Sequence, residues 1–196
     1  MKKNTRTYLI AGLAALAAVA GGVALLNSDK TSAQKQSADT TGNGLIGKPL
    51  PNIQLTDKDG RTFSLESLKG KNAVLFFNEG LMCYPACWNQ MVAFGTDPRF
   101  NSASAVAVSV VVDSPRDWQR AVAKMPDLAR ATTLFDRGAI VSRQLGVLSL
   151  ASSMHPGQVP GHTYVLLDTQ GIVREVLDDP NMGVNNNVII QKIKMF

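Results

Sequence analysis

Residues 73–94, AVLFFNEGLMCYPACWNQMVAF, constrain this chain more than any other stretch, because they carry its only two cysteines, Cys83 and Cys87, in a directional context. Ala73 to Phe77 is a continuous apolar run of strand type, Asn78 to Met82 is an irregular turn, and Cys83-Tyr84-Pro85-Ala86-Cys87 opens a helix carrying Trp88, Met91, Val92 and Phe94. A sulfur at a helix start meets unpaired backbone N–H groups and the positive end of the helix dipole, both of which favour thiolate over thiol. Pro85 suits the first helical turn, where its missing N–H costs nothing. An offset of four places both side chains on one helical face, with Cα atoms roughly 6 Å apart, within disulfide range. The pattern predicts a reversible redox pair, with Cys83 exposed as the attacking sulfur and Cys87 more buried as its resolving partner. Buried free thiols or one inert short-loop disulfide are the competing readings.

The amino terminus sets a second constraint. Lys2, Lys3 and Arg6 precede an uncharged apolar run, Tyr8 to Leu26, of a length that suits a bilayer-spanning helix. The basic residues place the amino terminus in the cytoplasm, and everything after the run outside the cytoplasmic membrane, where disulfides persist. Ala18-Val19-Ala20 also fits a small-residue cleavage site, so a removed signal peptide stands beside a retained single-pass anchor, which the length of the run favours. Residues 27–44 are polar, rich in Ser and Thr, and lack apolar periodicity, as in a flexible linker. The expected division is a basic cytoplasmic segment at 1–7, an anchor at 8–26, a linker at 27–44 and one domain at 45–196. The formal charge of +5 is scattered, without a basic stripe or interleaved aromatics, which argues against a nucleic-acid partner.

Along the domain, short strands at Asn52 to Thr56 and Arg61 to Phe63 flank the turn Asp57-Lys58-Asp59-Gly60, as in a hairpin. After the cysteine helix, Ala105 to Val112 is apolar throughout, as buried parallel strands are. Ser114, Pro115 and Asp117 then supply a cap, a first-turn proline and an early acid for a helix reaching about Met125. A strand at Thr132 to Phe135, a helix at Arg137 to Leu145 and a loop at Ala151 to Gly161 follow. Tyr164 to Leu167 and Ile172 to Leu177 form a second hairpin around Asp168, which serves its turn, and Val188 to Phe196 is an amphipathic terminal helix. Alternating helices and strands with a closing hairpin imply an α/β domain, a central mixed sheet covered on both faces. There is no internal repeat, glycine-rich phosphate loop or multi-histidine metal motif.

Three segments together resemble the thioredoxin-like superfamily, specifically its redoxin branch of AhpC/TSA peroxiredoxins, TlpA-like tethered thioredoxins and Sco-type copper proteins. They are IGKPLPNIQLTDKDGRTFSLESLKGK, the strand AVLFF leading to Cys83, and VPGHTYVLLDTQGIVREV. The resemblance covers about residues 45 to 196. It implies a thioredoxin-like fold with an N-terminal β-hairpin extension, and thiol-disulfide exchange that needs no cofactor beyond a reversible Cys83–Cys87 disulfide. Its implied partners are protein thiols or disulfides and an electron-transfer protein of the membrane. A substrate loop facing the cysteines falls at Val159, Pro160 and His162, with Pro160 as the candidate cis proline. Peroxiredoxins carry Pro-x-x-x-Thr/Ser-x-x-Cys, whose two other positions are here Phe76 and Gly80, which counts against efficient peroxide reduction. TlpA-like proteins use a spacing one residue shorter. Sco-type proteins do use Cys-x-x-x-Cys with a distal histidine, so copper on Cys83, Cys87 and His162 is the second implied reading, with His155, Met82, Met91 and Met154 as further candidate donors. Glu79 could assist proton transfer, Pro85 shapes the turn, Trp88 packs beside the cysteines, and Trp118 is expected in the core.

Overall fold

The structure, a computed structural model, describes residues 42–102 and 104–196. The basic segment, the apolar run and most of the linker lie outside the described residues. Among the described residues no helix is long and apolar enough to cross a membrane.

Strand β3, Asn72–Asn78, is the middle of the fold because its apolar side chains are buried on both faces. Val74 and Phe76 point into one apolar cluster while Ala73, Leu75 and Phe77 point into the other, as the two-residue period of a strand requires. Beside it lie β4, Ala105–Val111, in parallel register, and β6, Thr163–Leu167, antiparallel. The sheet continues outward through β5, Thr133–Phe135, parallel to β4, and through β7, Val173–Asp178, antiparallel to β6. A short hairpin of β1, Leu55–Thr56, and β2, Thr62–Phe63, joins the β5 edge through Thr56 and Phe135. The result is a seven-stranded mixed sheet in the order β2-β1-β5-β4-β3-β6-β7, the architecture the alternating sequence implied.

Helices cover both faces. The first cluster packs α1, Ala86–Thr96, α2, Pro115–Lys124, and α4, Asn186–Ile193, on one face, and the second receives α3, Ile140–Gln144, on the other. Helix α2 begins as its sequence predicts, with Ser114 Oγ accepting from Asp117 N at 3.1 Å and Pro115 in the first turn, and Trp118 is buried in the core. Asp168 likewise shapes the β6–β7 turn, accepting from Gln170 N and Ile172 N.

Several boundaries differ from the sequence reading. The single helix expected over Arg137 to Leu145 is instead a 3-10 turn, Arg137–Ala139, followed by α3. The break lies at Gly138 and Ala139, both with positive φ, where the Asp136 carboxylate accepts from Val141 N and Ser142 N and so caps the new helix. Only two residues on each side of the first hairpin pair as strands. The terminal helix starts two residues earlier than its apolar pattern, because Asn186 is buried against α1 through hydrogen bonds from its Nδ2 to Ala93 O and Asp97.

Candidate active site

At the end of β3 the chain must turn sharply to reach α1, and three side chains hold that turn. Asn78 Oδ1 accepts from Gly80 N at 3.0 Å, Asp113 Oδ2 accepts from Leu81 N at 2.9 Å, and Trp88 Nε1 donates back to Gly80 O at 2.9 Å. Gly80 has φ +61, and a Cβ placed there would lie 1.7 Å from Asp113 Oδ2, so this position accepts only glycine while Asp113 stays in place. A short 3-10 turn, Gly80–Met82, then delivers Cys83.

The cysteines are joined in a disulfide with Cα atoms 5.4 Å apart, close to the sequence estimate. Their placement in the helix differs. Helix α1 begins at Ala86, so the sulfur in its first turn belongs to Cys87, while Cys83 sits one turn earlier and is tied to the helix through Cys87 N donating to Cys83 O at 3.0 Å. The expected exposure of Cys83 also requires correction, since Cys83 is 3% and Cys87 0% accessible. Both sulfurs fold inward because Trp88, Met91 and Phe76 form an apolar surface around them. What solvent meets at this point are the chain neighbours Met82 and Tyr84, each about half exposed, with the Lys124 ammonium 3.5 Å from the Tyr84 ring centroid. Pro85 is exposed and precedes α1 as its cap residue.

The loop after α3 reaches the same place from the other side. Glu79 is buried, with Oε1 accepting from Met154 N at 2.7 Å and Oε2 lying 3.4 Å from Nδ1 of His155. Ser153 Oγ donates to Val159 O, and Ser152 Oγ accepts from His162 N while donating to Asp178. Pro160 is buried in this loop, but the cis peptide expected there is absent: among the described residues the cis bond is Tyr84–Pro85. Gly161 passes so close to Ser152 and Ser153 that any Cβ would fall within 2.3 Å of their backbone. Glu79 therefore acts in this structure as an anchor for the loop rather than through a contact with sulfur. Met154 is exposed, and Met91 is buried in the cluster around the disulfide.

His162 is the loop residue that arrives at the disulfide. It is fully buried, with Nδ1 3.5 Å from Cys87 Sγ and Nε2 2.7 Å from the Tyr164 hydroxyl and 3.1 Å from Gly183 O. Its ring packs edge-on to Phe76, with centroids 4.6 Å apart. The two Sγ atoms and a ring nitrogen lie within 4.8 Å of one another, a set that would offer two thiolates and an imidazole to a thiophilic metal ion once the disulfide is reduced. Burial pushes the imidazole down from its ordinary value of 6.5 to about 4, against a smaller opposing pull from Asp179. Above the ordinary value both folded and unfolded chains carry a neutral ring. As pH falls from 6.5 towards 4, only the unfolded chain takes up the proton, so stability is lost across that window, by roughly 3 kcal/mol in all. The urea midpoint should accordingly fall between about pH 7 and about pH 4.5, and a His162→Gln protein should show less of that fall. An equal fall in both proteins would assign it to the carboxylates.

Sequence reasoning missed the polar groups behind His162. Tyr164 reads as an apolar strand residue, and Gln90 as a surface position of α1, yet both are completely buried and hydrogen-bonded to each other. The available signal was that Gln90 lies between the core positions Cys87, Met91 and Phe94, on the inward side of the helix. Asp113, just beyond the end of β4, carried no signal at all.

A cysteine pair between the central strand and the first long helix, faced by a loop entering the antiparallel strand β6, defines a thioredoxin-like dithiol protein. The chain belongs to the AhpC/TSA family, whose model matches residues 46–176. Among curated relatives it is 32% identical over 139 residues to the chloroplastic peroxiredoxin Q of Populus jackii, covering 68% of this chain and 60% of the relative. It is also 32% identical to the peroxiredoxin Q of Triticum aestivum, again over 68% of this chain and 58% of that protein. The chain thus spans about 60% of the length of these curated relatives. Among solved structures, the peroxidoxin BcpB of Mycobacterium tuberculosis superposes with a TM-score of 0.62 at 20% identity, covering 77% of this chain and 97% of that one. A peroxiredoxin-like protein of Aquifex aeolicus gives 0.61 at 18%, over 76% and 86%.

Proposed function

We propose that this protein is a thiol-disulfide oxidoreductase that cycles Cys83 and Cys87 between dithiol and disulfide, with protein thiols or disulfides as substrates. The observation that carries the reading is the pair itself. Its sulfurs are bonded across a single turn where the central strand gives way to α1, beneath the loop that leads into β6. A substrate thiolate attacks Cys83 Sγ, forming a mixed disulfide as the Cys83–Cys87 bond breaks and Cys87 leaves as the thiolate. A second substrate thiol then attacks the substrate sulfur and frees Cys83, so that two electrons and two protons pass to the cysteine pair and the substrate is left as a disulfide. Titration of the couple against a glutathione or dithiothreitol buffer tests this: a reversible two-electron transition is expected, and a disulfide that stays closed under strong reductant would sink it.

Thiol-dependent peroxide reduction is the second reading, favoured by the similarity to peroxiredoxin Q proteins. The local geometry weighs against it, because Phe76 and the glycine-only position 80 stand where a proline and a hydroxyl residue belong in the peroxiredoxin pattern. Consumption of hydrogen peroxide with a thiol reductant separates the two, and rapid turnover would make peroxide the substrate. The convergence of Cys83, Cys87 and His162 also supports a copper-holding role, in which two thiolates and an imidazole would bind Cu(I). Stoichiometric Cu(I) uptake by the reduced protein, reduced in His162→Ala, is the expected result there. The cellular setting we infer is extracytoplasmic and membrane-tethered, with a membrane protein as electron-transfer partner. It rests on the apolar run Tyr8 to Leu26 behind Lys2, Lys3 and Arg6, and fractionation of the full chain with and without residues 1–26 tests it.

A further inference from the structure

The hydrogen bonds behind His162 fix which of its nitrogens carries the proton. Asn185 N, a backbone donor, lies 2.7 Å from Gln90 Oε1, so that atom of the amide must be the oxygen. The Tyr164 hydroxyl lies 3.0 Å from the same oxygen and must donate to it, since the oxygen has no proton to give. Its single proton thus committed, the Tyr164 oxygen can only accept from His162 Nε2 at 2.7 Å. Gly183 O, 3.1 Å from Nε2, is likewise an acceptor only. Two independent partners therefore demand a proton on Nε2, which in a neutral ring leaves the lone pair of Nδ1 directed at Cys87 Sγ, 3.5 Å away.

We propose that Nδ1 of His162 accepts a hydrogen bond from the Cys87 thiol once the disulfide is reduced, and that Tyr164 and Gln90 are positioning residues that hold the ring in the tautomer this requires. The inference rests on the dithiol reading above and adds a direction to it. In the disulfide, Cys87 Sγ has no proton, so the contact is no hydrogen bond. In the dithiol, after two electrons and two protons have been taken up from two thiols of the reductant, the S–H has an acceptor waiting in a dry site. The interaction thus exists on one side of the couple only and draws it towards the reduced form.

Nitrogen-15 NMR of the histidine side chains at neutral pH tests this without any substrate. In the wild-type protein His162 should be protonated at Nε2 in both redox states, and its Nδ1 resonance should move on reduction as the thiol bonds to it. Protonation at Nδ1, or an Nδ1 signal indifferent to redox state, would overturn the proposal. In Tyr164→Phe, which keeps the ring packing and leaves Gly183 O as the remaining acceptor for Nε2, a minor but measurable fraction protonated at Nδ1 is expected; a tautomer ratio unchanged from the wild type would remove Tyr164 from the positioning role. In a glutathione buffer His162→Ala should shift the equilibrium towards the disulfide by roughly three- to tenfold, the weight of one hydrogen bond. No shift, or one towards the dithiol, would also count against it. A protein that shows the NMR signature yet fails to exchange disulfides would sink the oxidoreductase reading and leave this inference standing.

Discussion

A Cys87→Ser protein is expected to accumulate covalent adducts with its substrates, joined through Cys83, while turnover falls by about a thousandfold or more, as it does when one member of a catalytic unit is removed. The reason lies in how the two sulfurs are covered. Cys87 sits in the first turn of α1 beneath His162, with no accessible surface, whereas Cys83 leads directly into the half-exposed side chains of Met82 and Tyr84. A substrate disulfide must approach from that rim, and the thiolate that attacks it there is Cys83, which joins one substrate sulfur as the other leaves; without Cys87 nothing resolves the adduct. Non-reducing electrophoresis of both serine variants, after exposure to disulfide-bonded protein, reads the outcome. Adducts with Cys83→Ser and none with Cys87→Ser would reverse the two roles.

Gly161→Ala should be the most disruptive small substitution in the loop. Its Cβ would lie 2.2 Å from Ser152 Oγ and 2.3 Å from Ser152 C and Ser153 N. Two of those three atoms are backbone, so no rotamer change removes the clash and the loop must move. The same Ser152 hydroxyl receives the His162 amide, so displacement there also detaches His162 from its position over Cys87. A loss on the order of 3 kcal/mol is expected, with a drop in thermal midpoint and an altered redox equilibrium together. A midpoint within a degree or two of the wild type would show that the loop is not packed as described. Gly47→Ala, at a position with no neighbour within 4 Å but with φ +79, is a fitting control, since it tests backbone conformation alone.

The central strand, the parallel strand after it, the capped helix at Ser114 and the closing hairpin were legible because each combines an apolar pattern with local turn or cap chemistry. The break in the helix over residues 137–145 was not, because it depends on Asp136 reaching forward to backbone amides that only the fold brings near it. For the site, residue type and spacing identified both cysteines and pointed to His162. They misjudged the exposure of Cys83, since burial was set by Trp88 and Met91 packing over it, and they placed the cis peptide at Pro160 when it precedes Pro85. The supporting polar groups Gln90, Tyr164, Ser152 and Asp113 come from separate strands, helices and loops. No local pattern announces a partnership between residues as far apart as Gln90 and Tyr164.

The disulfide spans four residues of sequence separation and bridges a turn that is already held by backbone hydrogen bonds. A cross-link of so short a loop removes little freedom from the unfolded chain, about 2 kcal/mol by loop-entropy arguments. Opening the bond thus weakens the fold by less than half of what losing a long-range cross-link would, yet still by about thirtyfold in the folded-to-unfolded ratio. By the same thermodynamic cycle folding favours the disulfide over the open pair by that amount, so a change that loosens this turn moves redox potential and structural stability together.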